Sequence, residues 1–373
     1  MAPCEGAKIR GVLATQLPPL DEVLERTHIV AIPTRTRFRG VTVREAAIFE
    51  GQSGASEFSP FLEYGDAEAA SWLAAAIEFG WGSLPETRRA RIAVNATVPA
   101  VSAAEVPGVL ARFAGCRTAK VKVAERGQSL ADDIARVRAV REAMGDDALI
   151  RIDANGGWSV NEAVTALRAL AEFDLDYAEQ PCMGVDELVE VRRRLRIEPT
   201  NSGATGLNRI DENREPADYG LALVRIAADE SVRKADDPLA VARSGAADLL
   251  IVKAQPLGGI ARALEIIETA GLPVVVSSAL DTSVGIGMGL HLAAALPDGA
   301  LAGACGLGTV ALLNGDVTDR PLVAEEGKIE VRRAILAPNL LEQHRAAPER
   351  ERWWHERVAR CHALLSRASS LSR

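Results

Sequence analysis

Two lysines, Lys120 and Lys122, stand one residue apart in the stretch Ala119-Lys120-Val121-Lys122-Val123. A β-strand sends alternate side chains to one face, so both ammonium groups point the same way. Downstream, three apolar runs each end in a single acid. Ile150-Arg151-Ile152 leads into Asp153, Leu175-Asp176-Tyr177-Ala178 into Glu179, and Val224-Arg225-Ile226-Ala227-Ala228 into Asp229. A fourth run, Leu249-Leu250-Ile251-Val252, ends in Lys253. Three clustered carboxylates raise one another's pKa unless a cation sits among them, and hard oxygen donors of this kind suit Mg²⁺. A lysine beside them becomes a base when burial and cationic neighbours lower its pKa from about 10.4. Lys120 and Lys122 supply that arrangement for each other, with Lys253 across from them. The chemistry expected is removal of a proton α to a carboxylate, with the metal holding the charge that develops.

Taken singly, each of these residues has a plainer reading. One acid at a strand end is a helix cap or a surface charge, and a Lys-x-Lys pair alone fits a solvated edge strand. The ordered set points to a site, and that set needs parallel strands to bring its members together. From Arg91 onward the pattern alternates strand and helix, with strands expected at 92–97, 119–123, 148–153, 177–180, 223–229, 248–253, 273–278 and 300–305. Helical patterns fill most gaps, as at 130–143, 160–173 and 260–270. Eight strands with helical crossovers match a (β/α) barrel, whose catalytic groups sit at the C-terminal ends of the strands.

The spacing of the strand ends is regular. Lys122 to Asp153 is 31 residues, Asp153 to Glu179 is 26, and the steps Asp229–Lys253 and Lys253–Ser277 are both 24. Glu179 to Asp229 is 50, about one unit too long, so an inserted loop is expected over about 198–220. Preceding a strand, it should lie on the face opposite the chemistry. Asp211, inside that loop, is a competing candidate for the third acid, 32 residues after Glu179. Asp229 is preferred because an apolar strand leads into it.

Residues 1–90 read as an N-terminal α+β capping domain, with roughly the first 20 an extension, strands at 28–33 and 41–49, and an alanine-rich helix at 66–79. Residues 91–315 read as the barrel, and 316–373 as a segment returning to the capping domain, ending in an amphipathic helix from Glu342.

Across 373 residues, 48% hydrophobic and 25% charged content is ordinary for a globular chain, and a net charge of −8 argues against nucleic acid or anionic membrane as partner. Five scattered cysteines show no zinc spacing and no disulfide framework, which suits a reducing cytoplasm. No apolar leader is read in the first twenty residues, and no membrane span is expected in the least polar stretch, 284–313. Gly285-Ile286-Gly287-Met288-Gly289 lacks the spacing of a nucleotide-binding loop and reads as close helix packing, with His291 a core or rim residue.

Over residues 28–331 the chain resembles the enolase superfamily, in its muconate-cycloisomerising branch. The matching pieces are Lys120-Val121-Lys122, Asp153-Ala154-Asn155-Gly156, Glu179-Gln180-Pro181, Ala228-Asp229-Glu230-Ser231 and the run from Lys253 to Gly259. Thr36-Arg37-Phe38-Arg39-Gly40, Glu57-Phe58 and the run from Ser277 to Ser283 resemble, more narrowly, a dehydrating actinobacterial group of that branch. The resemblance implies a modified (β/α)₇β barrel under an N-terminal α+β capping domain. It implies Mg²⁺-dependent syn dehydration of a succinyl-hydroxycyclohexadiene carboxylate to o-succinylbenzoate, a step of menaquinone biosynthesis. Lys122 would take the α-proton and then assist departure of hydroxide, and Lys253 would stabilise the enediolate. Asp153, Glu179 and Asp229 would bind the metal with Asn155 behind them. Ser277, Ser278 and Gly306 would hold the succinyl tail, with Arg37 and Arg39 facing the pocket from the cap. Racemisation of N-acylamino acids or epimerisation of dipeptides is the alternative on the same scaffold, the latter disfavoured because Cys305-Gly306-Leu307-Gly308 lacks an aspartate pair. A non-catalytic barrel is the third reading.

Overall fold

The computed structural model describes residues 15–38, 40–197, 224–233 and 237–370. The insertion expected at 198–220, Asp211 within it, and Arg39 all lie outside these residues.

The N-terminal part opens with a short helix α1 (Leu20–Glu25) and a three-stranded antiparallel sheet in the order β1-β2-β3. β1 is Thr27–Phe38, β2 Val41–Gly51 and β3 Gly54–Phe58. β3 was absent from the expected pattern because Gly-Ala-Ser-Glu-Phe carries little intrinsic strand preference. Its pairing with β2, Ile48 opposite Glu57, supplies what propensity does not. Helix α2 (Asp66–Trp81) covers the sheet. Its alanines at 69, 70, 74, 75 and 76 are all buried and let neighbours approach closely. A Cβ added at Gly51 would lie 2.1 Å from the Gly80 carbonyl oxygen, so backbone meets backbone there.

A seven-stranded parallel sheet follows, running β11-β10-β9-β8-β7-β6-β5. The first expected strand divides at Asn95. β4 (Arg91–Ala93) turns away to pair antiparallel with the late strand β12 (Lys328–Glu330), and β5 (Ala96–Val98) opens the barrel. Each further strand returns through a crossover, which right-handed parallel pairing requires. After α3 (Val106–Leu110) come β6 (Thr118–Lys122), α4 (Leu130–Met144), β7 (Leu149–Asp153), α5 (Val160–Leu170), β8 (Leu175–Glu179) and α6 (Val185–Ile197). Ser129 with Asp132, and Ser159 with Glu162, form capping boxes that start α4 and α5. β9 (Arg225–Ala228) is followed by α7 (Glu230–Arg233) and α8 (Ala240–Ser244). β10 (Leu249–Val252) leads to α9 (Ala254–Leu257) and α10 (Ile260–Ala270), and β11 (Val274–Val276) to α11 (Ser283–Ala295).

The eighth strand is irregular. Leu301 bridges Val274, Gly306 bridges Ser277, and Cys305 bridges Val94, so the segment joins both edges of the sheet without forming a regular ladder. Glycine-rich sequence explains this, with Gly303 at φ +118°. The architecture is the (β/α)₇β barrel expected, its last strand lacking a helix.

The chain ends in α12 (Pro338–Gln343) and α13 (Pro348–Ser370). Trp354, Val358, Cys361 and Leu365 are fully buried at helical spacing and turn one stripe of α13 toward the cap. The Trp354 ring stands edge-on to Phe58 at 5.7 Å, and its Nε1 donates to Glu45 at 2.7 Å. Trp354→Ala is therefore expected to cost about 3–5 kcal/mol of stability. Urea unfolding followed by circular dichroism measures this, and an unchanged midpoint would contradict the packing.

Candidate active site

Strand register aligns the chemistry. Lys120 and Lys122 of β6 lie opposite Arg151 and Asp153 of β7, and Asp153 lies opposite Glu179 of β8. Lys122, Asp153 and Glu179 thus form one row across three strand ends. Asp229 immediately follows β9 and Lys253 immediately follows β10. In an eight-stranded barrel, β6 and β10 are four strands apart, so Lys122 and Lys253 approach from opposite walls.

All six groups are buried: the three acids are 1% exposed and the three lysines 7%. Charges so buried require partners, and each lysine has a carboxylate. Lys120 Nζ donates to both Glu179 oxygens at 2.9 and 2.8 Å and lies 3.1 Å from Asp153. Lys122 bonds Asp153 and also Asn155 Oδ1, the latter at 2.6 Å, while Lys253 bonds Asp229. Burial disfavours the charge of Lys120, yet Glu179 and Asp153 hold its pKa well above the ordinary lysine value. Lys120 therefore stands beside Lys122 as a cation whose charge is also matched by two carboxylates. Burial also favours the neutral acid at Asp153, but Lys122 and Lys120 hold its pKa well below the usual range. Glu179 is pushed up to about 7, first by burial and then by the charge of Asp153.

A surrounding layer fixes the row. Asn155 sits at φ +47°, a left-handed turn just beyond β7, where its N–H donates to Asp153 at 3.1 Å and its Nδ2 to Glu230 at 3.2 Å. Gln180, likewise left-handed at φ +41°, accepts from the backbone N–H groups of Asp229 at 2.9 Å and Ser231 at 3.2 Å and donates to Ser231 Oγ at 2.6 Å. It therefore ties the end of β8 to the residue that carries the third acid. Buried Arg136 of α4 donates to the Lys122 carbonyl at 2.8 Å and to Val101 at 2.6 Å, anchoring the lysine strand from behind. The sequence alone points to no role for Gln180 or Arg136. Gln180 is visible in sequence only as the residue after a strand-end acid, within Glu179-Gln180-Pro181.

The pocket above the row is lined by Thr97, Ser277, Ser278, Ala279, Gly306 and Thr309 from the barrel and by Phe38 and Phe61 from the cap. Ser278 Oγ donates to the Gly306 carbonyl at 2.9 Å and lies 2.8 Å from Thr309 Oγ1. Ser277, Ser278 and Gly306 are thus brought to the site. Arg37 is not: it is exposed and outside the lining, because β1 turns its neighbour Phe38 inward instead. Phe38 covers Lys122, with Nζ 5.2 Å from the ring centroid. The roof over the row is therefore aromatic. A larger cavity of about 570 Å³ at the N-terminal ends of the strands is walled mainly by apolar residues such as Leu110, Phe113 and Met144, and holds no carboxylate. Gly285 and Gly289 pack closely, as expected, and His291 hydrogen-bonds the Gly287 carbonyl at 2.7 Å.

The donor set fits a divalent cation: three carboxylates at adjoining strand ends, deeply buried, with Glu179 raised by that burial and then by the charge of Asp153. Among the described residues no three acid, histidine or cysteine side chains already stand arranged to hold a metal ion. The Lys120 ammonium bridges Asp153 and Glu179 in this structure.

Residues 103–335 match the family of enolase C-terminal domain-like proteins, and residues 29–80 the enolase N-terminal domain-like family. The chain is 50% identical to an o-succinylbenzoate synthase of Mycolicibacterium smegmatis over 94% of this chain and 99% of that protein. It is 49% identical to the protein of the same name from Mycobacterium marinum, over 94% of this chain and 97% of that one. Among solved structures, a muconate lactonizing enzyme from Pseudomonas fluorescens shares the fold at a TM-score of 0.66 and 21% identity, covering 86% of this chain and 98% of that one. The L-Ala-D/L-Glu epimerase of Bacillus subtilis does so at 0.65 and 23%, covering 83% and 96%. The chain belongs to the enolase superfamily and, within it, to the family of the actinobacterial o-succinylbenzoate synthases.

Proposed function

We propose that this protein dehydrates a succinyl-hydroxycyclohexadiene carboxylate to o-succinylbenzoate, with Mg²⁺ as its metal and Lys122 as its acid/base. The observation that carries the reading is the pair Lys122 and Lys253 on opposite walls of one buried carboxylate row. Charge supports the substrate class. With Lys122 neutral so that it can act as base, Lys120, Lys253, the three acids and a divalent cation would leave the pocket net positive, which suits an anionic carboxylate substrate.

Asp153, Glu179 and Asp229 would hold the metal, with Asn155 orienting Asp153 through its backbone N–H. When bound, the cation supplies positive charge against the substrate carboxylate as the α-proton leaves. Lys122 takes that proton, and the electron pair moves onto the carboxylate. The same Lys122, now charged, gives the proton to the hydroxyl leaving from the same ring face, so the products are water and an aromatic ring. Lys253, from the opposite wall, offers positive charge to the anion in between. Lys120 stays with the carboxylates and keeps the row in register. Ser277, Ser278 and Gly306 offer polar contacts to the succinyl arm, and Phe38 and Phe61 cover the ring and exclude water. The acidic net charge and thiols that are free among the described residues fit a cytoplasmic enzyme. No helix among the described residues is long and apolar enough to cross a membrane.

Loss of diene absorbance on adding the precursor, dependent on Mg²⁺ and abolished by a chelator, tests the reading. Racemisation of an N-succinylamino acid without dehydration would overturn it. Lys122→Ala is expected to lower kcat by about 10²–10⁴-fold with the fold intact by circular dichroism. Turnover within tenfold of wild type would remove Lys122 from its role. For the third acid, Asp229→Asn should abolish metal-dependent turnover while Asp211→Asn leaves it unchanged, and the reverse pattern would reassign the ligand.

A further inference from the structure

The pocket wall formed by Ser277, Ser278 and Ala279 belongs to a loop that runs on through Leu280 and Asp281 to Thr282, the N-cap of α11. Leu280 is left-handed at φ +63°, which an L-residue adopts only when its surroundings impose it. Two buried charges of the N-terminal domain do so. Arg44 of β2, 3% exposed, donates to the Leu280 carbonyl at 3.1 Å and to Ser59 Oγ at 2.9 Å. Its guanidinium lies 4.8 Å from the ring centroid of Phe61, which itself lines the pocket.

The second charge is Glu57 of β3, which is 0% exposed. One of its oxygens accepts from the Thr282 N–H at 3.1 Å, the Thr282 hydroxyl at 2.6 Å and the Gly285 N–H at 3.0 Å. The other accepts from Ser59 Oγ at 2.6 Å. In a capping box, the residue three positions into the helix reaches back to the N-cap N–H. Here that position is Gly285, which has no side chain. A Cβ on Gly285 would lie 3.0 Å from the Glu57 carboxyl carbon and 2.7 Å from Asp281 Cβ. Glycine therefore admits the acid from another domain, and Glu57 completes the cap across the interface. Neither the lysine chemistry nor the carboxylate row uses Glu57.

We propose that Glu57 is a positioning residue of the active site: from the capping domain it fixes, through Thr282 and Gly285, the loop whose first three residues line the substrate pocket. The assignment deepens the dehydratase reading and rests on it for its kinetic consequence.

The test compares Glu57→Leu, which removes every acceptor, with Glu57→Gln, which keeps an oxygen facing Thr282 and Gly285. Unpaired buried donors weaken the loop's seat, so Glu57→Leu is expected to raise KM for the diene acid by about tenfold or more. Its kcat should stay within about twofold because Lys122 is untouched, and Glu57→Gln should recover most of the lost KM. Hydrogen exchange of the backbone amides from 277 to 285, read without substrate, should quicken by about tenfold in the leucine variant and not in the glutamine variant. Thr282→Val removes one donor to Glu57, while Thr282→Ser keeps both that donor and the acceptor for the Val284 N–H, and the pair tests the same contact if Glu57→Leu fails to fold. Wild-type KM and exchange in the leucine or valine variant would overturn the proposal, as would kcat falling in step with the folded fraction while KM holds. If the wild-type protein leaves the diene acid unchanged, the dehydratase reading fails, and the exchange measurement still decides Glu57.

Discussion

Six buried charges at the C-terminal ends of the barrel strands must neutralise one another, and the rest of the molecule is arranged so that they can. Removing one partner of such a buried pair costs about 3–5 kcal/mol, because the other charge is left uncompensated. Parallel register puts Lys122, Asp153 and Glu179 in one row, and the turns after β7 and β8 use left-handed Asn155 and Gln180 to aim supporting side chains at it. The six charges balance as they stand, and a divalent cation among them would make the pocket net positive.

The N-terminal domain completes the site rather than merely covering it. Phe38 stands over Lys122, and Phe61 closes the pocket beside Ala279. An aromatic roof keeps water from Lys122 and makes electrostatic contacts below it stronger. The domain in turn depends on the end of the chain, since α13 lays a buried stripe ending at Leu365 along α2. Residues far from the chemistry in sequence thus set where the roof sits.

What could be read from sequence was what is local. The alternation around Lys120 and Lys122, and the single acids ending apolar runs, give strand ends directly, and their regular spacing orders them around a barrel. Asp229 stands where the 24-residue step to Lys253 places it, despite the long interval before it. Features that rest on tertiary contact were not legible. β3 has no strand pattern of its own, and the eighth strand, expected at 300–305, gives no sign in sequence that only three isolated bridges hold it. Arg37 and Phe38 are adjacent, and only the direction of β1 at the rim decides that the aromatic, not the cation, reaches the pocket. The surroundings of Lys120 divide in the same way: its proximity to Lys122 is visible in sequence, whereas the two carboxylates that hold it are visible only in space.

Calorimetric titration of Mg²⁺ into the protein, in wild-type and Glu179→Gln forms, measures the central claim without reference to any substrate. One site per chain is expected in the wild type, weakened at least about tenfold in the variant, as loss of one of three carboxylate ligands requires. Equal binding by both forms, or no binding by the wild type, would contradict the assignment of the carboxylate row as a metal centre.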